Sequence, residues 1–222
     1  MLLASAQDGR RVAFGVGVES AGKIQLLRKT GSPYGLFGSY AVQAAVRFLP
    51  TDERGFTSTL RVSYVRDNTY FGYAANRSFG VHRSCTRVEA EAMVPTRSEL
   101  FWLSAAIGVD WNVEQTTSLG SRGTGGANDS LALPYANADL ERADLDLWTA
   151  RRLLVPIITI GPVLRIPSTR KPLWVQLFVR QAFLDAWEAP VAVSIREDFF
   201  NRYGILVSQR PTSVGLSVSY FF

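Results

Sequence analysis

The sequence predicts an all-β fold: one up-and-down antiparallel transmembrane β-barrel of eight strands, with four long external loops and three short periplasmic turns. Three observations predict it. Apolar and small or polar residues alternate with period two along segment after segment, as strands with two unlike faces require. Short and long connections alternate without exception. No apolar run approaches the ~20 residues of a membrane helix. The longest, Leu153 to Leu164, is interrupted by Pro156 and Pro162.

In the first strand Val12, Phe14, Val16 and Val18 alternate with Ala13, Gly15, Gly17 and Glu19. In the second, Tyr40, Val42, Ala44, Val46 and Phe48 alternate with Ser39, Gln43 and Arg47. The third sets Leu60, Val62 and Tyr64 against Thr59, Arg61 and Ser63, and the fourth Val88, Ala90, Ala92 and Val94 against Arg87, Glu89, Glu91 and Met93. The fifth places Leu103, Ala105, Ile107, Val109, Trp111 and Val113 opposite Ser104, Gly108, Asp110, Asn112 and Glu114. The sixth falls around Leu147 to Ile166, where both faces are apolar and two prolines interrupt the ladder, so its register is open. The seventh opposes Leu173, Val175, Leu177 and Val179 to Gln176 and Arg180. The eighth, ending the chain, puts Val214, Leu216, Val218, Tyr220 and Phe222 on one face and Ser213, Gly215, Ser217, Ser219 and Phe221 on the other.

Strands two and three, four and five, and six and seven are joined by PTDERGF, PTRSEL and PSTRKP, each short, polar and opened by proline, as tight turns are. The long connections run from Ser20 to Leu36, Arg66 to Cys85, Gln115 to Asp146 and Asp185 to Thr212. This puts the tight turns and both termini at one end of the barrel and the long loops at the other, the asymmetry of an outer-membrane barrel. Aromatic residues fall at the strand ends. Phe48, Phe56, Trp102, Trp174 and Phe222 stand by the short turns, and Tyr40, Tyr64, Trp111, Trp148 and Trp187 toward the long loops, two girdles at two interfaces.

A water-soluble calyx would alternate too, but with its apolar face inward and a charged outer face. Here the polar face is built largely from Gly, Ala and Ser, and the lysines, Lys23, Lys29 and Lys171, stand outside the clear strands. Small residues suit a narrow barrel interior, so the apolar face is assigned to lipid, and closure of the last strand on the first removes both edges. The formal charge of +5 comes from basic residues scattered singly, which argues against nucleic acid. One cysteine, Cys85, and one histidine, His82, provide neither an internal disulfide nor a Cys/His metal cluster, and no metal or cofactor is expected. Ala4-Ser5-Ala6 has the small-x-small form of a signal-peptidase site, so residues 1–6 are read as a possible signal-peptide remnant and 7–222 as one barrel domain.

At this point the sequence resembles the small bacterial outer-membrane β-barrel proteins, and VGLSVSYFF looks like their C-terminal β-signal: final Phe222 with Tyr220, Val218, Leu216 and Val214 at alternate positions. The resemblance implies residence in the bacterial outer membrane among its lipid and lipopolysaccharide, and recognition by the barrel-assembly machinery. It names a class and not an activity.

Glu89, Glu91, Asp110 and Glu114 share the polar face with Arg47, Arg61, Arg87 and Arg180. They could serve acid-base work or hold a cation, but charges inside a narrow barrel need partners, so an interior charge network is the expected role. His82 and Ser84 share one strand face, a spacing in which histidine could activate serine with Glu89 or Glu91 as orienting acid. That pattern is similar to the outer-membrane lipid A 3-O-deacylases, except that the asparagine expected after the serine is Cys85 here. Gly120 to Ser130 is glycine-rich without a flanking helix signal and reads as a loop tip. The last loop is partly apolar and suits an extended hairpin or a short helix on which a partner docks. The expected function is therefore non-enzymatic: a structural or complex-forming subunit acting through its external loops. The alternatives are a narrow pore or ligand conduit, and a lipid A-modifying hydrolase using His82 and Ser84.

Overall fold

A computed structural model describes residues 12–24, 38–49, 55–74, 77–98, 100–121, 144–147, 150–167, 171–194, 202–209 and 212–222. Among them there are twelve strands and no helix: β1 (Val12–Ile24), β2 (Gly38–Phe48), β3 (Thr57–Ala74), β4 (Arg77–Pro95), β5 (Phe101–Ser121), β6 (Asp144–Leu147), β7 (Ala150–Arg151), β8 (Leu154–Ile166), β9 (Leu173–Ala182), β10 (Trp187–Ser194), β11 (Arg202–Gln209) and β12 (Thr212–Phe221). Eight of them close an antiparallel barrel in the order β1-β12-β9-β8-β5-β4-β3-β2. The closing seam pairs the two strands farthest apart in sequence, from Gly15↔Phe221 to Ile24↔Thr212. No barrel strand is thereby left at the edge of the sheet, which a strand bathed in hydrocarbon requires.

The expected barrel is present, and its strands run longer than alternation alone indicated. The segment Arg66 to Cys85, expected as a loop, is mostly ladder: β3 and β4 pair continuously from Thr57↔Met93 to Gly72↔Ser78, with an irregularity before Ala74↔Arg77. The cause is that polar residues on both faces hide the period once a strand rises above the lipid. β1 likewise extends to Ile24, so Lys23 lies in a strand, and β5 continues to Ser121. The last long connection forms a hairpin, β10 with β11, joined on its other side by β6 and β7. Residues 122–143 of the glycine-rich connection, and residues 1–6, lie outside the described residues.

The sixth barrel strand, whose register the sequence left open, is β8. It carries both prolines, Pro156 opposite Val109 and Pro162 opposite Leu103. Toward β9 the pairing lapses between Ile160↔Val179 and Val163↔Gln176, where proline has no N–H to give. Gly161 sits at this gap because a Cβ there would lie 1.9 Å from the Leu177 carbonyl oxygen.

Candidate functional site

Alternation divides the barrel into two surfaces of opposite chemistry. Outward lie Phe14, Val18, Val42, Leu103, Ile107, Leu177 and their neighbours, with Ile107 as much as 68% exposed. Inward lie most of the buried charges and amides. An apolar surface that encircles a closed barrel around a polar interior is inside-out for water and right for lipid. The chain is an outer-membrane-type barrel.

The interior is an ion-pair lattice. Glu19 Oε1 on β1 accepts from Arg180 Nη1 at 2.5 Å and from Arg87 Nη1 at 3.0 Å. Arg87 also donates to both carboxylate oxygens of Asp110, at 2.7 and 3.2 Å, a forked pairing that suits a guanidinium. Asp110 is shared with Arg83 at 3.4 Å, and Arg83 reaches Asp67 and the Asn112 side-chain oxygen, both at 3.0 Å. Lower in the barrel, Arg61 meets Glu91 at 2.8 Å and Glu89 at 3.8 Å. Arg180 lies 3.5 Å from Glu89, and Thr159 donates to Glu89 at 2.7 Å. Ten charged side chains are buried among the described residues, five arginines and five carboxylates, none more than 4% exposed.

Arg47 closes the short-turn end differently. Its guanidinium stacks 3.6 Å from the Phe221 ring centroid and 4.1 Å from that of Trp174, with Nε donating to Thr59 at 3.3 Å. Trp174 in turn meets Trp102 edge to face at 5.6 Å. Room for Phe221 comes from Gly15, where a Cβ would stand 2.6 Å from the ring. At the opposite end Asn112 ties β5 to the rim, its amide donating to the Arg152 and Ala186 carbonyls.

These positions revise several sequence expectations. Trp102 and Trp174, assigned to a girdle, face the lumen and pack with Met93 and Val163. Proximity to the short turns was visible in sequence, but each sits at an inward position of its strand, and the barrel floor needed filling. Glu114, assigned to the interior, is exposed. The ladder shows why: Ser84 pairs with Glu114 but Cys85 with Asn112, so Val113 is an extra residue, a β-bulge that turns Glu114 outward. Glu89 and Glu91 point inward, while His82 and Ser84 stand at the outward positions of the same strand, so neither glutamate can orient that histidine. His82 Nδ1 is instead 2.9 Å from the Asn68 side-chain oxygen.

Phe48, Phe56, Tyr40, Tyr64, Trp111 and Phe222 are exposed on the outer face, as are Leu216 and Tyr220, with Val214 and Val218 half-buried beside them. Trp148 and the Trp187 side chain lie outside the described residues. Sequence reasoning missed Glu19, Asp67, Arg83 and Asn112 as network members. Glu19 and Asn112 had been placed on the polar face, which was the available signal. Asp67 and Arg83 were hidden in the supposed loop.

No protein-family model matches the chain, and no curated protein matches it. Among solved structures it is similar to the outer membrane protein OprG from Pseudomonas aeruginosa, at 9% identity and a TM-score of 0.45, covering 95% of this chain and 94% of that one. It is also similar to the N-terminal β-barrel domain of Pseudomonas aeruginosa OprF, at 12% identity and a TM-score of 0.32 over 94% and 97%. The translocator domain of the autotransporter NalP from Neisseria meningitidis aligns at 10% identity and a TM-score of 0.30 over 98% and 90%. The superpositions are loose, and the lipid-facing assignment rests on the surface chemistry above.

Proposed function

We propose that this chain is an integral barrel of the bacterial outer membrane that conducts nothing and works as a structural or complex-forming subunit through the strands it extends beyond the lipid. The observation that carries this reading is the packed lumen. Ion conduction needs a continuous file of solvated groups, and side chains lining a wet pore would show surface to water. The ten buried charges here neutralise one another at 4% exposure or less. What remains to act is the long-loop end, where β3, β4 and β5 run on and β6, β7, β10 and β11 form a second sheet. Such a platform suits a protein partner. The outward Val214, Leu216, Val218, Tyr220 and Phe222 suit recognition by the assembly machinery.

Planar bilayers test the reading against the narrow-pore alternative. The reconstituted barrel should be silent at ±100 mV (~2.3 kcal/mol per elementary charge), whereas a conductance that changes on Arg61→Ala or Glu91→Ala would establish a conduit instead. A second reading, a hydrolase acting on outer-leaflet lipid, is favoured by one observation: His82 and Ser84 stand on the same outward face of β4, with the Asn68 side-chain oxygen 2.9 Å from His82 Nδ1. Release of fatty acid from lipopolysaccharide that disappears with His82→Ala would establish it, and unchanged lipid would exclude it.

A further inference from the structure

We propose that the outer face of β3, β4 and β5 carries a binding site for the phosphate headgroup of an anionic lipid, with Arg66 as its cation and an acyl chain lying along β4. The inference rests on the membrane reading and adds a ligand class to it. Among barrel-strand residues whose side chains are described, the outward positions hold three groups of guanidinium, imidazole or carboxylate type: Arg66, His82 and Glu114. All three fall on adjacent strands toward one end. Their level is the membrane interface: Arg66 lies ten residues beyond Phe56 on β3, and Ser84 ten before Val94 on β4. At a rise of ~3.3 Å per residue and a tilt of ~40°, that span is about 25 Å, the height of a lipid-facing apolar band.

Arg66 is exposed, and its guanidinium is hydrogen-bonded by the hydroxyls of Tyr40 and Tyr64. Two phenol oxygens orient the group without exhausting its five N–H donors. Ser84, its direct register neighbour on β4, is itself buried, so the exposed donor where headgroups lie is the held guanidinium. Below them the β4 column is low at Thr86, Ala90 and Ala92, with Val88 between. Its flanks stand taller at two levels, Tyr64 and Trp111 beside Thr86 and Leu60 and Ile107 beside Ala90, while at Val88 all three strands carry valine in register. A furrow of this shape, leading up to a cation, fits one acyl chain under one phosphate. Glu114 stands on the far side of Ser84 from Arg66, two interstrand spacings or about 10 Å away, and repels a second anion there.

The experiment places the full chain in phosphatidylcholine nanodiscs and titrates phosphatidic acid brominated on its acyl chains, with brominated phosphatidylcholine as reference. Trp111 at the head of the furrow reports by quenching, and the Trp111→Phe variant defines the signal of the other tryptophans. Phosphatidic acid should quench at roughly tenfold lower mole fraction than phosphatidylcholine. Arg66→Ala should abolish the preference, and Glu114→Gln should strengthen it. Migration of unheated protein on denaturing gels checks that each variant is folded. Equal quenching by the two lipids, or a preference that survives Arg66→Ala, would overturn the site. If millimolar inorganic phosphate erased the preference, the site would be one for soluble phosphate and the lipid assignment would fall. Absence of quenching by either lipid would overturn the membrane reading itself.

Discussion

Glu19 carries more of the interior than its position in a run of small residues suggests. It is the carboxylate on β1 that joins Arg87 and Arg180, and through Arg87 the Asp110 cluster. A buried pair contributes little net stability over an apolar filling, but removing one partner leaves uncompensated charge. Glu19→Gln leaves the lumen with one positive charge in excess, Arg87 keeping Asp110 and Arg180 keeping Glu89. It should destabilise the barrel by ~3–5 kcal/mol, read as a lower urea midpoint for unfolding from lipid vesicles. At Gly161 the cause is steric and not electrostatic. A methyl there meets the Leu177 backbone at 1.9 Å, so Gly161→Ala must displace β8 from β9. The expected cost is ~1–3 kcal/mol by the same measurement, and an unchanged midpoint would show that the proline gap absorbs it.

The strands show where period-two reading succeeds and where it stops. In β2 the burial alternates from Gly38 to Phe48 with Val46 the single half-buried departure, and the sequence alternates with it. In β8 the inward Val155, Ile157 and Val163 are as apolar as outward Ile160, so composition could not separate the faces. The bulge at Val113 is invisible to periodicity because Val113 itself is apolar and outward, as expected; only the following residue is out of phase. Trp102 and Trp174 were misassigned for a related reason: an aromatic near a strand end is read as a girdle unless its phase is given priority. Phase alone would have sent both inward. The lipid-facing assignment makes a depth-dependent prediction for one strand. Ile107→Arg, near the middle of the lipid-facing band of β5, should cost ~2–4 kcal/mol of folding free energy in vesicles, and Val113→Arg, just beyond Trp111 at the outer rim of that band, ~0–1 kcal/mol. Equal costs would mean that β5 does not cross the lipid.

At the scale of the molecule, the barrel and the sheet beyond it are separable in their hydrogen bonding. The β9–β12 seam pairs from Thr212↔Gln181 to Tyr220↔Leu173 without using any residue of β10 or β11. The rim contacts of Asn112 reach back only as far as Ala186. β10 and β11 satisfy each other's backbone groups, with β6 and β7 along the other edge of β10. Replacing residues 187–209 by a short Gly-Ser turn should therefore leave a closed, membrane-inserted barrel. The loop-closure cost changes slowly with length, ~0.6 kcal/mol per doubling, so shortening the connection does not burden the seam. The deletion variant should keep its gel shift on heating and its resistance to protease in vesicles. Any protein that co-purifies with the native chain in mild detergent should be lost from it. A variant that failed to insert would show that the outer hairpin takes part in closing the barrel, and a partner retained in full would move the docking surface to β3, β4 and β5.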